Sequence, residues 1–172
     1  GEDFNEVVFD NVLVPKDRIV GEPGNGWQQV TSELAYERSG PERFLSSFRV
    51  FVELVRICGD SPSPHQAAAI GRIASHFMTL RRMSLSVAGM LEAGKDVSVE
   101  AALVKELGNN FEKLLPEIAR LVVPDLSAVD PDKQRLFRET FEETLMLSPS
   151  FTLRGGTREI MRGVIARGLG LR

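Results

Sequence analysis

The spacing of apolar residues changes at Asn25, and that change restricts the possible folds more than any other feature of the chain. Before it, residues 4–14 alternate apolar and polar around Val7, Phe9 and Val12 until Pro15 ends the run. This period of two reads as one strand, with a second short strand near Ile19 and Val20. After Asn25, apolar residues recur three and four apart, the period of helices that bury one face. Two strands do not make a free-standing sheet, so they read as the edge of a β domain. The expected fold class is all-α: an antiparallel helix bundle over residues 23–172, with residual strands over 1–22 as a short N-terminal β segment.

The helices can be placed from their stripes and caps. Asn25 caps a first helix over about 26–39, with Trp27, Val30 and Leu34 on one face. Gly40-Pro41 interrupts it, and a second helix carries Phe44, Phe48, Phe51 and Val55 as far as Gly59. Ser63-Pro64-His65-Gln66 is a capping sequence for a third, which runs through Ile70, Ile73, Phe77, Leu80, Val87 and Leu91 to Gly94. Asp96 caps a fourth with Leu103, Leu107, Phe111, Leu114, Ile118 and Leu121 in a stripe, and Pro116 is expected to kink or divide it. Asp130-Pro131 opens a fifth through Phe137, Phe141 and Leu145, after a stretch, 123–130, expected to be a mobile loop. The last helix follows Thr157.

Composition excludes several classes of function. With 172 residues, 42% of them hydrophobic, the chain can bury one sizeable core. A net charge of −3 gives no reason to expect nucleic acid or an anionic membrane as partner. One cysteine, Cys58, excludes an internal disulfide, and with His65 and His76 it offers little for a metal; none of the three is assigned chemistry. No apolar run approaches the ~20 residues of a membrane span. A cytoplasmic location is the expectation, and a start at Gly1 rather than Met leads us to expect a piece of something longer.

One segment points to a function. Leu153-Arg154-Gly155-Gly156-Thr157-Arg158-Glu159-Ile160 places a glycine-rich loop directly before a helix, where free backbone N–H groups can face an anion. The same residues also suit an ordinary helix start, with Thr157 as N-cap and the glycines closing the turn. The wording of the segment resembles the closing motif of the acyl-CoA dehydrogenase family. A second match lies at the other end of the chain. Phe4-Asn5-Glu6-Val7-Val8-Phe9-Asp10-Asn11-Val12-Leu13-Val14-Pro15, with Ile19-Val20-Gly21-Glu22-Pro23-Gly24-Asn25-Gly26-Trp27, is similar to the family's passage from its central β domain into its C-terminal helical domain.

The resemblance implies an FAD-dependent enzyme that removes a proton from the carbon beside an acyl-CoA thioester while a hydride leaves the next carbon. Many members carry the base immediately before the Gly-Thr of the closing motif, where this chain has Gly155. A minority branch, including isovaleryl-type enzymes, places it on the first helix of this domain, just before an arginine. The matching residues here are Glu37 and Arg38, implied as catalytic base and substrate-side neighbour. Periodicity places Glu37 on the stripe of Val30 and Leu34, where a carboxylate is costly unless paired or functional. If the stripe ends earlier, Glu37 reaches solvent and meets Arg38 or Arg43.

By the same resemblance, Gly156, Thr157 and Glu159 contact FAD. Gln66 reaches the cofactor of a neighbouring subunit, although its position after Ser63 equally suits a helix cap. Arg56 stands in for the arginine that opens an FAD motif, but Arg56-Ile57-Cys58-Gly59 lacks the phenylalanine. The implied partners are an acyl-CoA, an electron-transfer flavoprotein or similar acceptor, and further subunits in a homo- or hetero-oligomer. Heteromeric members acting on steroid side chains divide the FAD site between subunits. A noncatalytic assembly subunit is therefore the competing expectation, and on either the chain alone is expected to be inactive.

Overall fold

A computed structural model of the chain describes residues 5–171. Among them run six α-helices: α1 (Gly26–Ser39), α2 (Phe48–Cys58), α3 (Pro64–Glu92), α4 (Ser98–Val122), α5 (Pro131–Leu147) and α6 (Arg158–Gly168). Short 3₁₀ turns occupy Lys16–Arg18, Pro41–Arg43, Leu126–Ala128 and Ser150–Thr152. The all-α class is as expected. The chain forms two compact units, the first ending at Glu33 and the second beginning at Leu34.

In the first unit, the expected strands do not form among the described residues; Phe4, where the first would begin, lies outside them. Residues 5–15 have no regular structure, and Val7, Phe9, Val12 and Leu13 are exposed. A strand persists only when a neighbour takes up its backbone N–H and C=O groups. No described residue supplies that ladder. The start of α1 is held locally, with Gln29 N–H donating to Asn25 O at 3.2 Å and Gln29 Nε2 donating to Val20 O at 2.9 Å. Trp27 and Val30, expected on a buried stripe, are exposed.

In the second unit, α4 is the central element and packs on α2, α3, α5 and α6. The core joins Val50 and Leu54 of α2, Ile73 and Phe77 of α3, Phe111 and Leu115 of α4 and Phe137 of α5. Phe77 meets Phe48 and Phe111 edge-on, with ring centroids 5.1 and 4.7 Å away. Edge-to-face pairs of this kind add ~0.5–1.5 kcal/mol beyond the area they bury.

Caps set several of the boundaries. Ser63 and Gln66 form the expected reciprocal capping box at the head of α3. Asp130 accepts from Asp132 and Lys133 N–H at the head of α5. At α4 the N-cap is Val97 rather than Asp96, whose carboxylate instead accepts from the Ser98 N–H and hydroxyl at 3.0 and 2.7 Å.

Three expectations are corrected. Phe44 does not belong to the second helix, which starts at Phe48, because Ser46 N–H donates to the Glu112 carboxylate at 2.8 Å instead of closing a helical turn. Pro116 does not divide α4. Proline cannot donate to the carbonyl four residues back, and here that carbonyl, of Glu112, accepts from the Ser47 hydroxyl at 3.0 Å. The buried face of α4 is also not the whole expected stripe, of which Phe111 is buried and Ile118 packs on the core. Leu107, Leu114 and Leu121 are 47, 42 and 74% exposed, while Ala101, Val104, Lys105, Gly108, Asn109, Glu112 and Leu115 face inward.

Candidate functional site

The inward face of α4 organises the site. Gly108 lets the Pro41–Arg43 turn approach closely: a β-carbon on Gly108 would stand 2.3 Å from Arg43 O. Arg43 is therefore pressed into the protein, at 5% side-chain exposure, and turns back toward the end of α1. Its Nε donates to Glu37 O at 2.8 Å and its Nη2 to Glu37 Oε1 at 2.6 Å. One guanidinium thus fixes both the backbone and the carboxylate of Glu37, which keeps 37% exposure. Of the two sequence expectations, the carboxylate is neither fully inward nor free in solvent, and it meets Arg43 rather than Arg38.

The loop from Phe151 to Thr157 is fastened to the same face. Glu112 is fully buried and accepts from Arg154 Nη2 at 3.2 Å, and the Arg154 guanidinium stacks over the Phe151 ring at 4.7 Å. Burial pushes the Glu112 carboxyl above its ordinary value, opposed by the hydrogen bonds from Ser46 and the charge of Arg154. Asn109, oriented so that its amide satisfies its neighbours, donates to Phe151 O at 3.2 Å and accepts from Lys105 Nζ at 2.8 Å. At the head of α6, Glu106 holds Arg158 and Arg162 at 3.2 and 3.1 Å. Burial raises its carboxyl, but hydrogen bonds from Arg158, Asn110 and Arg162 outweigh that and leave it below the ordinary value.

So anchored, the loop places Gly155 against Glu37. A β-carbon on Gly155 would lie 2.9 Å from Glu37 Oε1 and 3.3 Å from Lys105 Cε. Arg38 Nε donates to Gly155 O at 3.1 Å. Burial draws the Arg38 guanidinium below its ordinary pKa, and the neighbouring Glu37 charge opposes this. Gly155 and Gly156 both adopt positive φ, +65° and +104°, a conformation that disfavours side-chain-bearing residues. Thr157 caps α6 by accepting from Ile160 N–H at 3.5 Å, and Glu159 is exposed in its first turn. Its own backbone N–H and the Thr157 hydroxyl hold the Glu159 carboxyl below the ordinary value.

Glu37, Arg38, Gly155, Gly156 and Thr157 therefore come together at one place. Gln66 and Arg56 do not join them. Gln66 Oε1 accepts from Ser63 N–H and its Nε2 donates to Val122 O at 3.0 Å, bonds that fasten the head of α3 to the end of α4. Arg56 lies on α2 and pairs with Glu53 at 2.7 Å. Sequence reasoning offered Arg43 only as a surface partner of Glu37 and missed Lys105, Asn109 and Glu112. The available signal was Gly108, a glycine inside a helix, which marks a close backbone approach and hence the inward face. Among the described residues no cluster suits a metal ion, and no helix is long and apolar enough to cross a membrane.

No protein-family profile matches the chain. Individual proteins do. It is 27% identical to the acyl-CoA dehydrogenase IpdE1 of Mycolicibacterium smegmatis, over 98% of this chain and 43% of that protein. It is 29% identical to the IpdE1 of Mycobacterium tuberculosis, over 98% of this chain and 44% of that protein. The acyl-CoA dehydrogenase FadE29 of the latter organism is 28% identical, over 94% of this chain and 43% of its own length. The chain thus spans less than half the length of these curated relatives, matching their C-terminal part. Together with the all-helical fold, these matches make the chain similar to the C-terminal part of acyl-CoA dehydrogenases.

Proposed function

We propose that this chain is the helical part of a flavin-dependent acyl-CoA dehydrogenase and carries its base, with residues 23–172 as the helical domain and 1–22 as the end of a β domain. The observation that carries this reading is the Glu37 carboxylate lying over the α-carbon of Gly155. The commoner base position is occupied by glycine, and the alternative base fills the space that glycine leaves. Arg43 engages Oε1, so the α proton of the thioester goes to Oε2. Arg38, fixed by the Gly155 carbonyl, orients the substrate beside the base. FAD, when bound, would supply the acceptor for the hydride that leaves the β carbon as Glu37 removes the α proton.

The residues at the head of α6 suit part of that cofactor. Gly155 and Gly156 have no side chains to block it, and Thr157 and exposed Glu159 suit hydroxyl groups of a ribityl or ribose chain rather than a phosphate. Electrons would pass on to an electron-transfer flavoprotein or a similar acceptor. The base alone does not make an enzyme, and this chain by itself is proposed to be inactive.

A second reading, a noncatalytic subunit that lends packing surface to a partner holding the working FAD site, is favoured by one observation. Gln66 is committed to its own helix cap and to Val122, and the half-exposed Arg56 pairs with Glu53 on its own helix. The complete polypeptide, purified alone and then with the product of a neighbouring gene, separates the two readings. Flavin colour that persists in Glu37→Gln, together with acyl-CoA-dependent dye reduction that the same variant loses, supports the enzyme. Turnover that depends entirely on the partner's own base supports the assembly subunit.

A further inference from the structure

The ion pairs around Gly155 do not balance. Glu37 pairs with Arg43, Glu112 with Arg154, and Glu106 with Arg158 and Arg162. These pairings leave out two cations, Arg38 and Lys105, and both lie against the Gly155–Gly156 turn: Arg38 through its bond to Gly155 O, Lys105 with its Cε 3.3 Å from where a Gly155 β-carbon would stand. Lys105 is 0% exposed, and its Nζ donates to a neutral amide oxygen, that of Asn109. A buried ammonium without a carboxylate partner is costly, and a plain core would use an apolar side chain here.

We propose that Lys105 is a positioning residue for the α-proton transfer: with Arg38 it gives the Gly155 turn a surplus of positive charge that stabilises the negative charge growing on the thioester as Glu37 takes the proton. The inference rests on the dehydrogenase reading above. Lys105 does not touch the reacting atoms; it acts through the field it adds behind the loop, where the low dielectric of a buried site makes one charge count.

The same geometry makes this charge titratable in an accessible range. The groups facing Lys105 are Glu37 and Arg38 from the end of α1, Arg43 from the following turn, Arg154 from the loop and Glu106 from α4 itself. Burial and the three guanidinium groups lower its pKa to about 8, with Glu106 opposing. Above that pH the site loses one unit of positive charge, and turnover falls.

Two measurements test the proposal. The Lys105 Cε resonance, followed by NMR in the 172-residue chain and assigned by its absence in Lys105→Met, titrates near pH 8. In the complete dehydrogenase, the pH profile of kcat for acyl-CoA-dependent dye reduction shows an alkaline limb with the same midpoint. Lys105→Met abolishes the limb and lowers the plateau about tenfold with KM nearly unchanged, less than the ~10²–10³ lost with a donor in direct contact. Lys105→Arg restores the plateau and stays charged, so its limb is also gone. A limb that survives in Lys105→Met, a Lys105 resonance that titrates at its ordinary value, or an arginine variant no better than the methionine variant overturns the proposal. Failure of the underlying reading looks different: Glu37→Gln then retains full turnover, whatever Lys105 does.

Discussion

Glu37 and Gly155 share one volume: the carboxylate oxygen occupies the space that any side chain at 155 would need, 2.9 Å from its first carbon. Gly155→Ala therefore meets two obstacles, the contact with Glu37 and a φ of +65°. A left-handed backbone costs an L-residue ~1–2 kcal/mol, so the variant is expected to lose about that much stability in urea unfolding. A crystal structure of the variant is expected to show the Glu37 carboxylate displaced.

Lys105 gives a stability prediction whose sign follows from linkage. Its pKa is depressed in the folded chain, to about 8 from 10.5, so between these values the unfolded chain binds more protons. Stability then rises with pH across that interval: the penalty is complete below pH 8 and relieved by about 10.5. Lys105→Met removes the penalty, and the variant is expected to be more stable at pH 7 by up to ~3 kcal/mol, at 1.36 kcal/mol per unit. Its advantage over the parent shrinks toward pH 10. Urea unfolding of both proteins at the two pH values checks this.

Glu112 behaves in the opposite way. Removing it leaves Arg154 without its carboxylate and Ser46 N–H without its acceptor. Glu112→Ala is expected to destabilise the fold by ~3 kcal/mol, the lower end for breaking a buried pair because Arg154 is partly solvated. The loop before α6 loses its tether in the same variant, so amide exchange across residues 151–157 should accelerate more than in the helices.

How much of this was readable beforehand follows from the physics of each element. The helices of the second unit were legible because apolar period and caps agree: Ser63 with Gln66, Asp130, and Thr157 all act where the sequence places them. The inward face of α4 was not. Its stripe of leucines is more apolar than the face that is buried, and the buried face carries Lys105, Asn109 and Glu112, which single-residue hydrophobicity assigns to solvent. Asn109 and Glu112 are satisfied by partners distant in sequence, Phe151 O, Arg154 and Ser46, and Asn109 in turn accepts from Lys105. Periodicity carries no information about those partners. The strands near Val7 and Ile19 were misplaced for a related reason, since alternation shows what a strand would bury but not whether a neighbour exists to pair with it. Glu37 and Arg38 came from resemblance, with Arg43 foreseen as one alternative partner of Glu37; their meeting with Gly155 came only from the fold.

Gln66 has two possible duties, and stability separates them. Its side chain completes the capping box and binds Val122 O. Gln66→Ala is thus expected to destabilise the isolated chain by ~1 kcal/mol, in the usual range for a lost helix cap. Equal melting temperatures of the variant and the parent chain would show that these bonds contribute little.

The central claim is that Glu37 takes the α proton. Its most direct test is the steady-state turnover of an acyl-CoA by the complete, flavin-loaded protein carrying Glu37→Gln, an isosteric change that cannot accept the proton. The account predicts a fall in kcat of ~10²–10⁴ with flavin content retained. Turnover equal to that of the parent protein would contradict it.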